Sequence, residues 1–500
     1  MSLNPEPSAP EERAEHNLPP KSYADAAEEA LQSGPQSHVN GEGRTDEVKT
    51  NGIHAAEDEE KTSHEGIGQD GSPKSPTARG HRRVSSRSSH KSSKSTQDNQ
   101  PPKDMIENHI NGNGNALTTV KPSQESELPP QGRRTDLKRR DSELTAGRQA
   151  GASWSKSNAD DSRIRFAPMN VPLQRRLQTL AVLMHTLSIV GSLAIFFFLC
   201  SIPLLWPILL PYTVYVLFSD AGTSGELSLR SEWFRRLPVW SLFASYFPAR
   251  LHRSQELEPT RKYIFGYHPH GIISHGAFAA FATEALGFSQ LFPGITNTLL
   301  TLDSNFRYPI YREYALRLGM ASVSRESCEN ILSKGGQNGE GMGRAITIVV
   351  GGAAESLDAR PGEIKLVLRR RKGFVKLAIR TGADLVPVLS FGENDIYDQV
   401  DTESHPYIHK FQLLVKKFMG FTVPIFHARG VFNYDVGMMP YRRPINIVVG
   451  RPIRVVQNEH PNNDYIDQVH QQYVDELMRI WNEHKDTFAR NRTGELELVE

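Results

Sequence analysis

The sequence predicts an α/β domain, a mixed sheet with flanking helices, preceded by an apolar helical hairpin and a long disordered arm. Three observations predict it. Residues 1 to about 160 are rich in Ser, Pro, Glu, Lys, Asn and Gly and hold almost no aromatic or β-branched clusters. An apolar run from Thr179 to Phe218 then contains no Asp, Glu, Lys or Arg. From Lys262 onward, short apolar runs alternate with helical stretches, the pattern of strands and helices in one layered domain.

The arm, residues 1–160, lacks the apolar side chains to offset the entropy of ordering and reads as disordered throughout. Within it, His81 to Ser95 (HRRVSSRSSHKSSKS) sets Arg and Lys among serines. Such a segment suits contact with an anionic membrane surface and release by phosphorylation, or else is a solvated tail. No apolar h-region stands near the start, so no signal peptide is expected. The formal net charge of +1 gives no whole-chain attraction for nucleic acid, and no nucleic-acid partner is expected. Cys200 and Cys328 are the only cysteines, which excludes a disulfide framework beyond one bridge and fits a reducing, cytosol-facing folded part.

The apolar run is about forty residues long, where one straight span needs about twenty. Pro203, Pro207 and Pro211 interrupt its second half and favour a turn. Arg175 and Arg176 precede it, while Arg230, Arg235 and Arg236 follow, so both ends carry the charges of a cytosolic flank. Residues 171–220 are therefore expected to form a transmembrane hairpin or re-entrant segment, with residues 221–495 as the membrane-associated domain.

In that domain, strands are predicted over Lys262–Tyr267, Ala345–Val350, Asp384–Phe391 and Ile445–Gly450. Pro309 to Leu318 reads as a helix with proline near its start and Gly319 just past its end, and Lys372 to Thr381 as another, closed by Gly382. Ile466, Val469, Tyr473, Leu477 and Ile480 recur at helical spacing, a stripe for core packing. The stretch Gly335 to Gly343 contains G-x-G-x-G but precedes a strand, so it reads as a flexible loop instead of a nucleotide loop.

Three segments carry side chains suited to chemistry. The first predicted strand runs into His268-Pro269-His270-Gly271, a turn that presents two imidazoles. Each histidine has three readings: a general base, a metal ligand or a hydrogen-bonded structural residue. A metal site would need further ligands, and neither a Cys pair nor His-Glu-x-x-His is present to supply them. The second segment, Val349 to Glu355, ends a strand in Gly351 and Gly352, whose N–H groups can approach a developing anion, and in a carboxylate able to fix a histidine's tautomer. The third, Arg369-Arg370-Arg371-Lys372 with Lys376 one turn on, suits the phosphates of a nucleotide-bearing substrate or a solvated surface.

Together these segments resemble the diacylglycerol acyltransferase 2 family, which includes monoacylglycerol and wax-alcohol acyltransferases; the likeness spans about residues 165–490. Tyr246-Phe247-Pro248 looks like the motif ahead of the family's His-Pro-His-Gly signature, and Pro309, Arg312 and Glu313 fit the next block. Gly351, Gly352 and Glu355 fit its GGxxE element. Arg371 to Phe391 matches the central block, and Arg429-Gly430-Val431-Phe432, Pro444-Ile445 and Val449 to Ile453 the C-terminal one.

The resemblance implies a glycerolipid acyltransferase-like fold and transfer of an acyl group from acyl-CoA to the free hydroxyl of diacylglycerol, giving triacylglycerol, with no cofactor. Monoacylglycerol or a long-chain alcohol is the alternative acceptor. Other classes are a metal-dependent membrane hydrolase using His268 and His270, and a non-catalytic scaffold. It implies His270 as base with His268 beside it, and substrate contacts from Tyr246, Phe247, Pro248, Gly271, Arg312, Glu313, Gly351, Gly352, Arg371, Lys372 and Arg429. Related glycerolipid acyltransferases place an aspartate five residues after the histidine, but His275 stands five after His270 and Ile273 five after His268. Glu355 is therefore the expected carboxylate partner, ahead of Asp303 and Glu313. An endoplasmic-reticulum membrane location with cytosolic termini, movement to lipid droplets, contact with membrane lipid and a homo-oligomer complete the expectations.

Overall fold

The computed structural model describes residues 106–110, 116–120, 166, 171–399 and 426–499. Its centre is a nine-stranded sheet: β1 (Ile106–Ile110), β2 (Ala116–Val120), β3 (Arg250–Arg253), β4 (Lys262–His268), β5 (Thr296–Thr301), β6 (Ala321–Ser322), β7 (Arg344–Val349), β8 (Ala383–Phe391) and β9 (Asn446–Val449). Their spatial order is β1-β2-β3-β9-β8-β4-β7-β5-β6. The strand β4 lies between β8 and β7 and is parallel to both, with His268 opposite Leu389 and Tyr267 opposite Val349. From Tyr263 to His268 β4 is buried, and all of β8 is, as expected of parallel strands covered on both faces.

Parallel alignment has a direct consequence for function. The chain leaves β4, β7 and β8 at the same edge of the sheet, so the segments after all three meet there, where open α/β sheets bind ligands.

Helices close the faces. They are α1 (Leu173–Thr186), α2 (Ser188–Cys200), α3 (Trp206–Phe218), α4 (Pro238–Tyr246), α5 (Tyr311–Arg317), α6 (Arg325–Ser333), α7 (Gly352–Leu357), α8 (Gly373–Thr381) and α9 (Asn463–Phe488). Asn462 caps α9 by accepting the Tyr465 N–H at 2.9 Å, and the predicted stripe Ile466, Val469, Tyr473, Leu477 and Ile480 is buried. Gly382 ends α8 in the left-handed conformation that only glycine adopts without strain. The four predicted strands appear within a residue at each end, and Pro309–Leu318 narrows to α5. Gly335 to Gly343 holds two very short strands, Gly335–Gly336 and Glu340–Met342, joined by an exposed turn.

One expectation changes. The arm read as disordered contributes β1 and β2: Leu117 is 3% exposed, Thr119 Oγ1 donates to Leu251 O at 2.6 Å, and β2 pairs antiparallel with β3. The short run Ala116–Val120 (ALTTV) is itself apolar and β-branched and borrows an existing sheet edge and core, so the low apolar content of the arm around it was no obstacle. The rest of the arm, including His81 to Ser95, lies outside the described residues.

The apolar run divides into α1, α2, a 3-10 turn at Pro203–Leu205 and α3. Pro203 opens the break, while Pro207 sits in the first turn of α3, where its missing N–H has no helical partner to lose. Among the described residues no single helix is long and apolar enough to cross a membrane; α1 and α2 pass that test only together, bent by 68°. None of α2 is buried, and Phe197, Phe198, Leu204, Ile208 and Phe218 are strongly exposed.

Candidate active site

The loop leaving β4 places the two histidines in different surroundings. His268 is the last residue of β4 and is fully buried. Its Nε2 lies 2.9 Å from the Tyr473 hydroxyl on α9. That hydroxyl donates to Gly266 O at 3.1 Å, so Nε2–H of His268 donates to the tyrosine oxygen. A Cβ on Gly266 would overlap the Tyr473 oxygen, which explains the glycine in mid-strand. Burial holds His268 neutral, its pKa pushed down to about 3. Both its surroundings and its protonation make it a peg between sheet and helix.

His270, across a cis Pro269 peptide, is half-buried. Its Nδ1 lies 3.0 Å from Gly271 O and donates there, leaving Nε2 with the lone pair. Burial lowers its pKa, partly countered by the bond to Gly271 O, so the ring is neutral and able to accept a proton at pH 7. Gly271 carries a positive φ of 61°, the conformation that turns the loop back over the sheet edge.

Glu355 arrives from the exit of β7. Gly351 and Gly352 lead into the short helix α7, and a Cβ on Gly351 would collide with the Glu355 carboxyl group. The carboxylate is buried at 2% exposure. One oxygen accepts the backbone N–H of His270 and the other that of Val367 at 3.1 Å. Burial raises its pKa to about 7, against the pull of those two N–H groups and of Arg371. The expectation that Glu355 meets the imidazole directly is thus corrected: it grips the main chain under the ring. Asp303 and Glu313 are engaged elsewhere, with Arg307 at 3.2 Å and the Tyr212 hydroxyl at 2.7 Å.

A second carboxylate, missed in the sequence, completes the edge. Glu393 follows β8 and is 1% exposed; its Oε2 accepts the Tyr267 hydroxyl at 2.7 Å and the Gly276 N–H at 3.0 Å. The signal was present as Gly392-Glu393 directly after a predicted strand, a glycine and a carboxylate at a strand exit as in Gly351 to Glu355. Next to it, His275 is buried with Nε2 2.9 Å from the Tyr397 hydroxyl and its ring 5.1 Å from that of Phe247.

The other expected substrate contacts divide. Arg312 is 1% exposed: its guanidinium donates to Val216 O at 3.1 Å and to Ser219 Oγ at 2.6 Å, satisfying the carbonyl end of α3. Glu313 accepts from Tyr212 of the same helix. Arg312 and Glu313 thus tie the apolar segment to the domain. Tyr246 is buried and donates to Pro440 O at 2.6 Å under the Arg442 guanidinium, while Phe247 packs on His275 and Pro248 turns the chain into β3. Gly351 and Gly352 make room for Glu355. Arg371 acts on Glu355. Lys372 is exposed and pairs with Asp467 at 2.6 Å, and Arg429 lies over the Tyr434 ring at 5.4 Å. Among the described residues, no group of three or more His, Cys, Asp or Glu is placed to hold a metal ion.

Comparison with known proteins shows what the chain is similar to. A family profile described as "Diacylglycerol acyltransferase" matches residues 197–499. The chain is 49% identical over 340 residues to diacylglycerol O-acyltransferase 2A of Umbelopsis ramanniana, covering 67% of this chain and 94% of the relative. It is 48% identical over 322 residues to diacylglycerol O-acyltransferase 1 of Schizosaccharomyces pombe, covering 64% and 91%. To 2-acylglycerol O-acyltransferase 1 of Bos taurus it is 46% identical over 331 residues, covering 65% and 97%. No solved structure matches.

Proposed function

This chain belongs to the diacylglycerol acyltransferase family, and from that premise we propose that it joins the acyl group of acyl-CoA to the free hydroxyl of diacylglycerol, with His270 as general base. The observation that carries the base assignment is the His270 ring: Nδ1 is committed to Gly271 O, and Nε2 is left basic on a half-buried, neutral imidazole.

In the reaction, Nε2 takes the proton of the acceptor hydroxyl as its oxygen forms a bond to the thioester carbonyl carbon. The C–S bond breaks, the thiolate leaves with the electron pair, and the imidazolium returns the proton to it. A thiol of acidity near 8.5 leaves readily, so the alcohol is the partner that needs activation. Glu355 acts by fixing the loop on which His270 stands. No acyl-enzyme and no cofactor are required.

The exposed apolar side chains of α2 and α3 support a hairpin or re-entrant segment buried in the bilayer, presenting the domain to oily substrates at its surface. An endoplasmic-reticulum membrane with both termini cytosolic, and passage to lipid droplets, follow as part of the same proposal. The bovine 2-acylglycerol acyltransferase relative favours monoacylglycerol as a second acceptor. The deciding assay incubates membranes carrying the protein with radiolabelled oleoyl-CoA and, in turn, diacylglycerol, monoacylglycerol and a long-chain alcohol. Triacylglycerol as the main product supports the reading; transfer only to monoacylglycerol or the long-chain alcohol reassigns the acceptor, and no transfer to any of them refutes it.

A further inference from the structure

Glu393 is a buried carboxylate that the mechanism above does not use, yet it sits directly beneath the loop carrying the proposed base. The chain reaches it through β8, which lies beside β4 with Leu389 opposite His268, so the first residues after β8 emerge under the residues after β4. Gly392, at φ 95°, makes the turn; a Cβ there would lie 2.2 Å from Pro444 O.

The fit around the carboxyl group is close on three sides. Oε2 accepts from the Tyr267 hydroxyl at 2.7 Å and from the Gly276 N–H at 3.0 Å, which joins the residue before His268 to the residue that closes the loop. A Cβ on Gly271 would sit 2.7 Å from Glu393 Cγ, and one on Gly276 2.5 Å from Oε2. Both glycines are therefore required by this side chain, in addition to the turn at Gly271. At the other end of the loop Glu355 holds the His270 N–H. His270 thus stands on a backbone tethered to a buried carboxylate on either side.

We infer that Glu393 is a positioning residue for acyl transfer, fixing the Tyr267 to Gly276 loop from below so that His270 Nε2 meets the acceptor hydroxyl. The inference rests on the acyltransferase reading and on His270 as base. It does not need a negative charge at Glu393: the other oxygen, Oε1, has no hydrogen-bond partner among the described residues. A glutamine can place its carbonyl oxygen at Oε2 and its amide at Oε1, keeping both bonds. Alanine removes the acceptor, leaves the Tyr267 hydroxyl and Gly276 N–H unpaired, and frees the loop. Displacement of a reacting group by about 1 Å lowers rate by about 100-fold.

The test compares wild type, Glu393→Ala, Glu393→Gln and Tyr267→Phe in detergent-solubilised full-length protein, measuring kcat, KM for acyl-CoA and thermal melting. The expected result is a kcat lowered by about 100-fold in Glu393→Ala with KM for acyl-CoA little changed, and a Glu393→Gln protein within a few-fold of wild type. Tyr267→Phe, which keeps the Gly276 bond, is expected to show a smaller fall in kcat at unaltered melting. If Glu393→Ala does not fold, that pattern in the other two variants still supports the inference. Wild-type kcat in Glu393→Ala overturns it, as does a Glu393→Gln protein as impaired as alanine, or wild-type kcat in Tyr267→Phe where alanine is not recovered. Absence of acyl transfer by wild type in the same preparation instead refutes the functional reading itself.

Discussion

The carboxylate of Glu355 accepts the backbone N–H of His270 and leaves the imidazole ring to the Gly271 carbonyl. The pair is therefore coupled through the position of the loop instead of through charge on the ring. Because each oxygen serves a separate N–H, glutamine cannot replace it: its amide nitrogen would face one of the two donors, His270 N or Val367 N. Glu355→Gln is expected to lower kcat by about 10- to 100-fold with KM for acyl-CoA nearly unchanged. Steady-state kinetics on matched membranes check this, and wild-type kcat would count against the tether.

The same residue gives a pH signature in stability. Burial raises the Glu355 pKa from 4.5 to about 7 in the folded protein. A raised folded pKa means the contribution is fully present below the unfolded value and is lost as pH rises through the folded one. Glutamine does not titrate, so the melting temperature of Glu355→Gln, relative to wild type, is expected to climb between about pH 4.5 and pH 7 and then level. Melting curves in detergent across that range would reveal a flat difference if the carboxyl group titrates normally.

The two histidines separate by phenotype. His270→Ala removes the base, with an expected loss of about 100- to 10,000-fold in kcat and little change in melting. His268→Ala breaks the bond to Tyr473 in the core and is expected to lower the melting temperature first, with Tyr473→Phe showing part of the same loss. Full activity of His270→Ala, or a stable but inactive His268→Ala, would exchange their roles.

The added strand pair makes a prediction outside the site. Leu117 is 3% exposed on β2, and a buried leucine cut to alanine destabilises by about 2–5 kcal/mol. Leu117→Ala is expected to lower the melting temperature while leaving the KM for acyl-CoA alone. An unchanged melt would mean that the strand adds nothing to the folded domain.

Local periodicity made much of the fold readable. Short apolar runs marked β4, β7, β8 and β9, and Pro309, Gly319 and Gly382 marked helix ends, because strand and helix signals reside in neighbouring residues. The strand β2 escaped for the opposite reason. It pairs along its length with β1, but it joins the sheet only through β3, a partner more than a hundred residues away.

The sequence by itself determined which chemistry is available: a histidine turn after a strand, a Gly-Gly-x-x-Glu exit and the blocks that match an acyltransferase family. It also placed that chemistry in an α/β domain that follows an apolar segment. Which histidine is open, and what each carboxylate holds, were decided only by the tertiary structure. His268 and His270 differ by two positions in the chain, but the end of β4 drives one ring into α9 and leaves the other at the sheet edge. Glu355 and Glu393 lie far from both in sequence and meet their loop because β7 and β8 run parallel to β4 on either side. That convergence depends on strand order, which is set by long-range pairing and burial and leaves no mark in the spacing of the residues it brings together.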